Sequence, residues 1–100
     1  MTHKRTRHLT HPGEVLAGEL DELGMTAAEL ARALHVPSNR IYQLVSGKRA
    51  MTADTALRLE AWLGASAGFW MNLQMRYELD LAMEQIGDEI KRTVVARTAA

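Results

Sequence analysis

Residues 38–46, SNRIYQLVS, gather side chains suited to reading the edges of nucleic-acid bases. Asn39 and Gln43 stand four positions apart, so on a helix their carboxamides share one ridge, and each can pair bidentately with adenine. Tyr42 can meet a thymine methyl group or a phosphate, and Ser38 and Ser46 complete the polar face. Arg40 suits guanine chemically, but a helix entering a groove end-on directs it to a phosphate. Lys48 and Arg49 follow Gly47 and are expected to hold phosphates, contacts that position a protein without reading sequence. Asn39 and Gln43 are the expected determinants of specificity.

These residues need a helix, a second helix to brace it and a tight turn between them. Residues 26–47, TAAELARALHVPSNRIYQLVSG, supply all three. Thr26 with Glu29 three residues later makes a capping box. Ala27, Leu30, Ala31 and Leu34 then recur on one helical face, and small Ala31 permits a close crossing. The break at His35-Val36-Pro37 is short, and Ile41, Leu44 and Val45 form the inward face of a helix over residues 38–46. This is the helix-turn-helix pattern, in which the N-terminal part of the second helix enters the major groove.

Three more helices are expected around this pair. Pro12 opens one that runs to Leu23, with Leu16, Leu20 and Leu23 inward and Gly24 as its stop. Thr52 is the expected N-cap of a helix through Leu63 carrying Ala56, Leu59 and Leu63. Ser66 caps a long last helix from about Ala67 to at least Met83, which Ile86 and Ile90 can extend past Gly87. Its stripe of Phe69, Trp70, Leu73 and Tyr77, with Met71 and Met75 beside it, exceeds what one small core needs. Core packing is the simplest use of these four, with dimer or toxin contact as the competing one, and they are the candidate dimer contact. Trp62 is expected in the core or half-buried.

The architecture implied is all-α, with five helices and one domain. Residues 1–11 read as a flexible basic arm, 12–91 as the helix-turn-helix domain with its C-terminal dimerisation helix, and 92–100 as a tail. With 47% of its 100 residues apolar, the chain can pack a core without metals or disulfides, and it contains no cysteine. The absence of thiols fits a reducing compartment. Neither a secretory leader nor an apolar run of the ~20 residues a membrane span needs is visible, so a cytoplasmic protein is expected.

The formal charge is zero, yet it is sorted. Lys4, Arg5 and Arg7 form one basic group, with Arg40, Lys48 and Arg49 as a second. Acids gather at Glu14, Glu19, Asp21 and Glu22, and again at Asp80, Glu84, Asp88 and Glu89. Such sorting can present one positive face to nucleic acid. The acidic runs read first as solvated helix faces, and the arm first as a tail, with Arg5 or Arg7 able to touch phosphate or the minor groove. His3, His8 and His11 match no metal-site spacing. No cofactor is expected, and no catalytic cluster points to an enzyme.

The helix-turn-helix resembles the phage-repressor-like (Cro/C1, Xre) family. More narrowly, HPGEVLAGELDELGMT, SGKRAMT, ALRLE, the LG before a small-residue turn and FWMNLQMRYEL make the chain similar to HigA-type antitoxins, over residues 10–81. The resemblance implies a protein that neutralises a small, basic, RelE-like ribonuclease toxin and represses their shared operon. A stand-alone phage or plasmid regulator without a toxin is the alternative. One such module buries little DNA-facing surface, so a homodimer on a palindromic operator is expected, its half-sites ~34 Å apart. Two residues depart from the family pattern. His35 stands where a left-handed glycine is usual, and Pro37 stands at a Ser/Thr N-cap, a role Ser38 can take one residue later.

Overall fold

The computed structural model describes residues 8–98. Lys4, Arg5 and Arg7 of the basic arm, together with His3, lie outside the described residues. The described chain forms five α-helices and no strand. They are α1 (Pro12–Leu23), α2 (Ala27–Leu34), α3 (Ser38–Val45), α4 (Ala53–Leu63) and α5 (Ala67–Thr93).

Local chemistry sets most of the boundaries. The Thr26 hydroxyl accepts from Glu29 N at 3.1 Å while the Glu29 carboxylate accepts from Thr26 N at 2.9 Å, which completes the capping box of α2. Gly24 and Gly64 end α1 and α4 in the left-handed region that a glycine enters without steric cost. Ser66 accepts from Phe69 N at 3.0 Å at the start of α5. Thr52 occupies the N-cap of α4 but makes no side-chain cap, contrary to expectation. Its hydroxyl lies 3.5 Å from that of buried Thr55 instead.

The core is one cluster where α1 to α4 meet the first turns of α5. Leu16, Leu30, Ile41, Leu44, Met51, Leu59 and Trp70 are its largest fully buried side chains. Burying each aliphatic side chain contributes roughly 1.5–3 kcal/mol. α2 and α3 pack directly on each other, with α1 against α3 and α4 against α2. Trp70 is only 1% exposed, so its indole is spent on this core and offers no surface to a partner. That corrects its place among the dimer contacts. Leu73 and Tyr77 are half-buried, and Phe69 is 44% exposed. Trp62, at 40% exposure, lies at the surface beside Leu34, His35 and Arg58 and is not a core residue.

Beyond the core α5 continues without a packing partner among the described residues. Its 27 residues reach about 40 Å at 1.5 Å per residue. It ends at Thr93, two residues past the expected limit of the domain, and Val94 turns to extended backbone. The radius of gyration is 17.3 Å, against about 13 Å for a compact 100-residue domain, as a projecting helix requires.

Candidate nucleic-acid interface

The turn before α3 is where the sequence departs from pattern, and it holds its shape. His35 adopts φ 60°, ψ 45°, the left-handed conformation otherwise left to glycine. Its N–H bonds to Arg32 O at 3.2 Å, and Val36 N bonds to Ala31 O at 3.0 Å. From α4, Arg58 donates to the Leu34 carbonyl at 2.9 Å, which satisfies one of the carbonyls a helix end leaves free. Pro37 sits at the N-cap of α3 with φ −63° and no side-chain cap. Ser38 does not replace it. α3 starts at Ser38, whose hydroxyl stays on the exposed face.

Ile41 and Leu44 turn inward on α3 and are essentially inaccessible. The 3.6-residue repeat then puts Ser38, Asn39 and Tyr42 outward, all exposed, with Gln43 half-buried beside them. Gly47, at φ 80°, closes the helix, and Lys48 N returns to Gln43 O at 2.8 Å. Lys48 and Arg49 therefore project just past the end of the exposed face. Ser46 is spent locally, its hydroxyl donating to Gln43 O at 3.1 Å.

Two arginines are less free than their sequence positions suggest. Arg40 donates to Asp54 Oδ1 at 2.8 Å, and Arg58 donates to the same oxygen at 2.7 Å. Hydrogen bonds from Arg58 first, then Arg40, hold the Asp54 carboxyl below its ordinary range. Arg40 is thus a link between α3 and α4 in the free protein. Arg49 donates to Gln43 Oε1 from both Nε and an Nη.

Several contributors lay outside the sequence reading. Asp54 and Arg58 are an i,i+4 pair, a signal visible in the sequence, but their meeting with Arg40 and the α2 carboxyl end depends on the fold. Gln74 of α5 is buried and accepts from Met51 N at 2.8 Å, which pins the loop carrying Lys48 and Arg49. His11 is buried at the N-cap of α1. No group of three or more His, Cys, Asp or Glu residues able to hold a metal is present among the described residues. No helix among them is long and apolar enough to cross a membrane.

Comparison with known proteins places this geometry. A helix-turn-helix family model matches residues 18–70, more than half of the chain. Virulence-associated protein I of Dichelobacter nodosus is 48% identical over 73 residues, which cover 72% of this chain and 68% of that protein. An addiction module antidote protein of the HigA family from Coxiella burnetii superposes with a TM-score of 0.88 at 41% identity, covering 91% of this chain and all of the other. The antitoxin HigA of Pseudomonas aeruginosa, solved with the higBA promoter, gives 0.87 at 38% identity over the same shares of the two chains. In sequence and backbone alike, the chain belongs to the phage-repressor-like helix-turn-helix family and falls among its HigA-type members.

Proposed function

We propose that the protein is the antitoxin of a toxin–antitoxin pair and binds its own operator as a homodimer, with α3 in the major groove. The observation that carries this reading is the exposed face of α3. Ser38, Asn39, Tyr42 and Gln43 lie beside Lys48 and Arg49 on a backbone matching that of a HigA solved with its promoter. Asn39 and Gln43 read bases, Ser38 and Tyr42 support them, and Lys48 and Arg49 hold phosphates. Arg40 joins the phosphate contacts by exchanging Asp54 for DNA, and Ser46 borders the footprint.

The dimer contact moves along α5 from the position expected. With Trp70 inside the core, the free apolar surface lies farther out, at Leu79, Met83, Ile86 and Ile90, which are 45–64% exposed. Their 4-3-4 spacing is the seam of a two-helix packing. A second copy covers this seam, while Phe69, Leu73 and Tyr77 border it nearer the core.

The partner is a small basic ribonuclease of RelE-like type, complementary to the acids on α1 and the far half of α5. Support for this comes from the HigA-type relatives and from the sorted charge. Co-expression with the adjacent reading frame tests it. Co-purification of a basic ribonuclease and rescue of growth support the antitoxin reading. Operator binding with no such neighbour makes the protein a stand-alone regulator.

A further inference from the structure

His11 does more than a helix cap requires. Its Nδ1 accepts from Gly13 N at 2.8 Å, the hydrogen bond by which a serine or aspartate would cap α1 equally well. The ring is nevertheless almost wholly buried, at 6% exposure. Its edge meets the Tyr77 ring of α5, centroids 4.9 Å apart at 74°, and the backbone carbonyl of Arg49 lies near enough to favour the charged ring. With Nδ1 accepting from Gly13 N–H, the proton of the neutral ring sits on Nε2. Gly13 brings a second close approach. A Cβ there would overlap the Leu44 carbonyl, so α1 begins directly against the last turn of α3.

We propose that the His11–Gly13 corner positions the nucleic-acid-binding surface by clamping the Lys48–Arg49 loop, and the end of α3, against α1 and α5. His11 faces the loop near the Arg49 carbonyl and Gly13 abuts Leu44 at the end of α3, while Gln74 bonds the loop at Met51. Arg49 in turn orients Gln43. The clamp thus joins the α5 helix to both the phosphate-holding loop and a base-reading side chain. This inference rests on the DNA-binding reading proposed for α3. His11 is a positioning residue and need not touch DNA.

The test separates the cap from the clamp. His11→Asn keeps an oxygen for Gly13 N–H but cannot reach the Arg49 carbonyl, and His11→Ser does the same with a second capping residue should the first fail to fold. Without DNA, amide order parameters of Lys48 and Arg49 are expected to drop in the variant while those of α2 stay unchanged. On operator DNA, affinity is expected to fall about tenfold. The slope of log K against log salt should become shallower by about 1, as for one phosphate fewer neutralised, while the melting temperature changes little. An unchanged loop order parameter overturns the clamp whether or not the wild type binds DNA. So does a loss of affinity that tracks the loss of folded protein at an unchanged salt slope. A wild type with no affinity for operator DNA counts against the DNA-binding reading, and the order parameters then decide the clamp alone.

Discussion

Arg49 commits two donors to one acceptor: Nε lies 3.1 Å and Nη2 2.8 Å from Oε1 of Gln43. A guanidinium has donors only, so the oxygen of the Gln43 amide must face it and the NH2 must point away. The free glutamine envisaged from sequence alone would offer both amide atoms to an adenine. The buttressed one offers chiefly its donor, to N7 of a purine, O6 of guanine or O4 of thymine. Under the proposed operator reading the two side chains act as a unit. Gln43→Ala is expected to cost about 1–3 kcal/mol at one base pair. Arg49→Ala should weaken discrimination at that same base pair, and the double variant should show non-additive effects. Competition binding across the four choices at each operator position measures both.

Lys48 stands just past the exposed face of α3, beyond the left-handed turn at Gly47, with its side chain exposed. Lys48→Ala should weaken binding to all sequences alike and reduce the salt slope by about 1, with base preference intact. Titrations at several salt concentrations on cognate and scrambled DNA check this.

The far half of α5 carries its apolar side chains into solvent as far as Ile90. A carboxylate at Met83 or Ile86 would be buried unpaired in a two-helix seam, which costs far more than it does in a monomer. Met83→Asp should therefore sediment as a monomer at micromolar concentration and lose operator affinity, while its helical circular dichroism is retained. A variant that remains dimeric places the dimer contact elsewhere.

Much of this fold was legible because its signals are local. Capping boxes, left-handed glycine stops and a 3.6-residue repeat act within one or two turns, so the bounds of α1 and α2 and the outward face of α3 follow from neighbouring residues. The stripe on α5 shows the limit. Phe69 and Trp70 are adjacent and chemically alike, and only the packing of α4 and α1 decides that Trp70 goes inside while Phe69 stays half-exposed. Thr52 was a sound cap by type, but its hydroxyl turned to Thr55. Arg40 and Asp54 are separated by 14 residues. His11 faces a helix and a loop remote in sequence, so no spacing rule could have revealed either arrangement.

His11 also predicts how stability follows pH. Burial holds its pKa below the ordinary 6.5, outweighing the Arg49 carbonyl and the Glu14 carboxylate, which favour the charged ring. Between the lowered folded value and 6.5 the unfolded chain binds the extra proton, so stability rises with pH across that window. The melting temperature should accordingly fall as pH drops through 6.5 and level off, for this residue, below the folded value. His11→Asn should flatten that segment of the profile. Asp54, held low by Arg58 and Arg40, contributes above the ordinary carboxylate pKa and loses its contribution as pH falls through its lowered folded value.

Operator reading by α3 is tested most directly by comparing the wild type with the Asn39→Ala/Gln43→Ala double variant on the DNA upstream of the protein's own gene. Fluorescence anisotropy at physiological salt, with stoichiometry from sedimentation, gives the needed numbers. The wild type should bind as two protomers per site and prefer that DNA over a scrambled duplex by a factor of about 1,000 or more. The double variant should retain only weak, salt-sensitive binding common to both duplexes. A wild type that does not distinguish the two duplexes, or a double variant whose preference survives, would contradict operator reading by this helix.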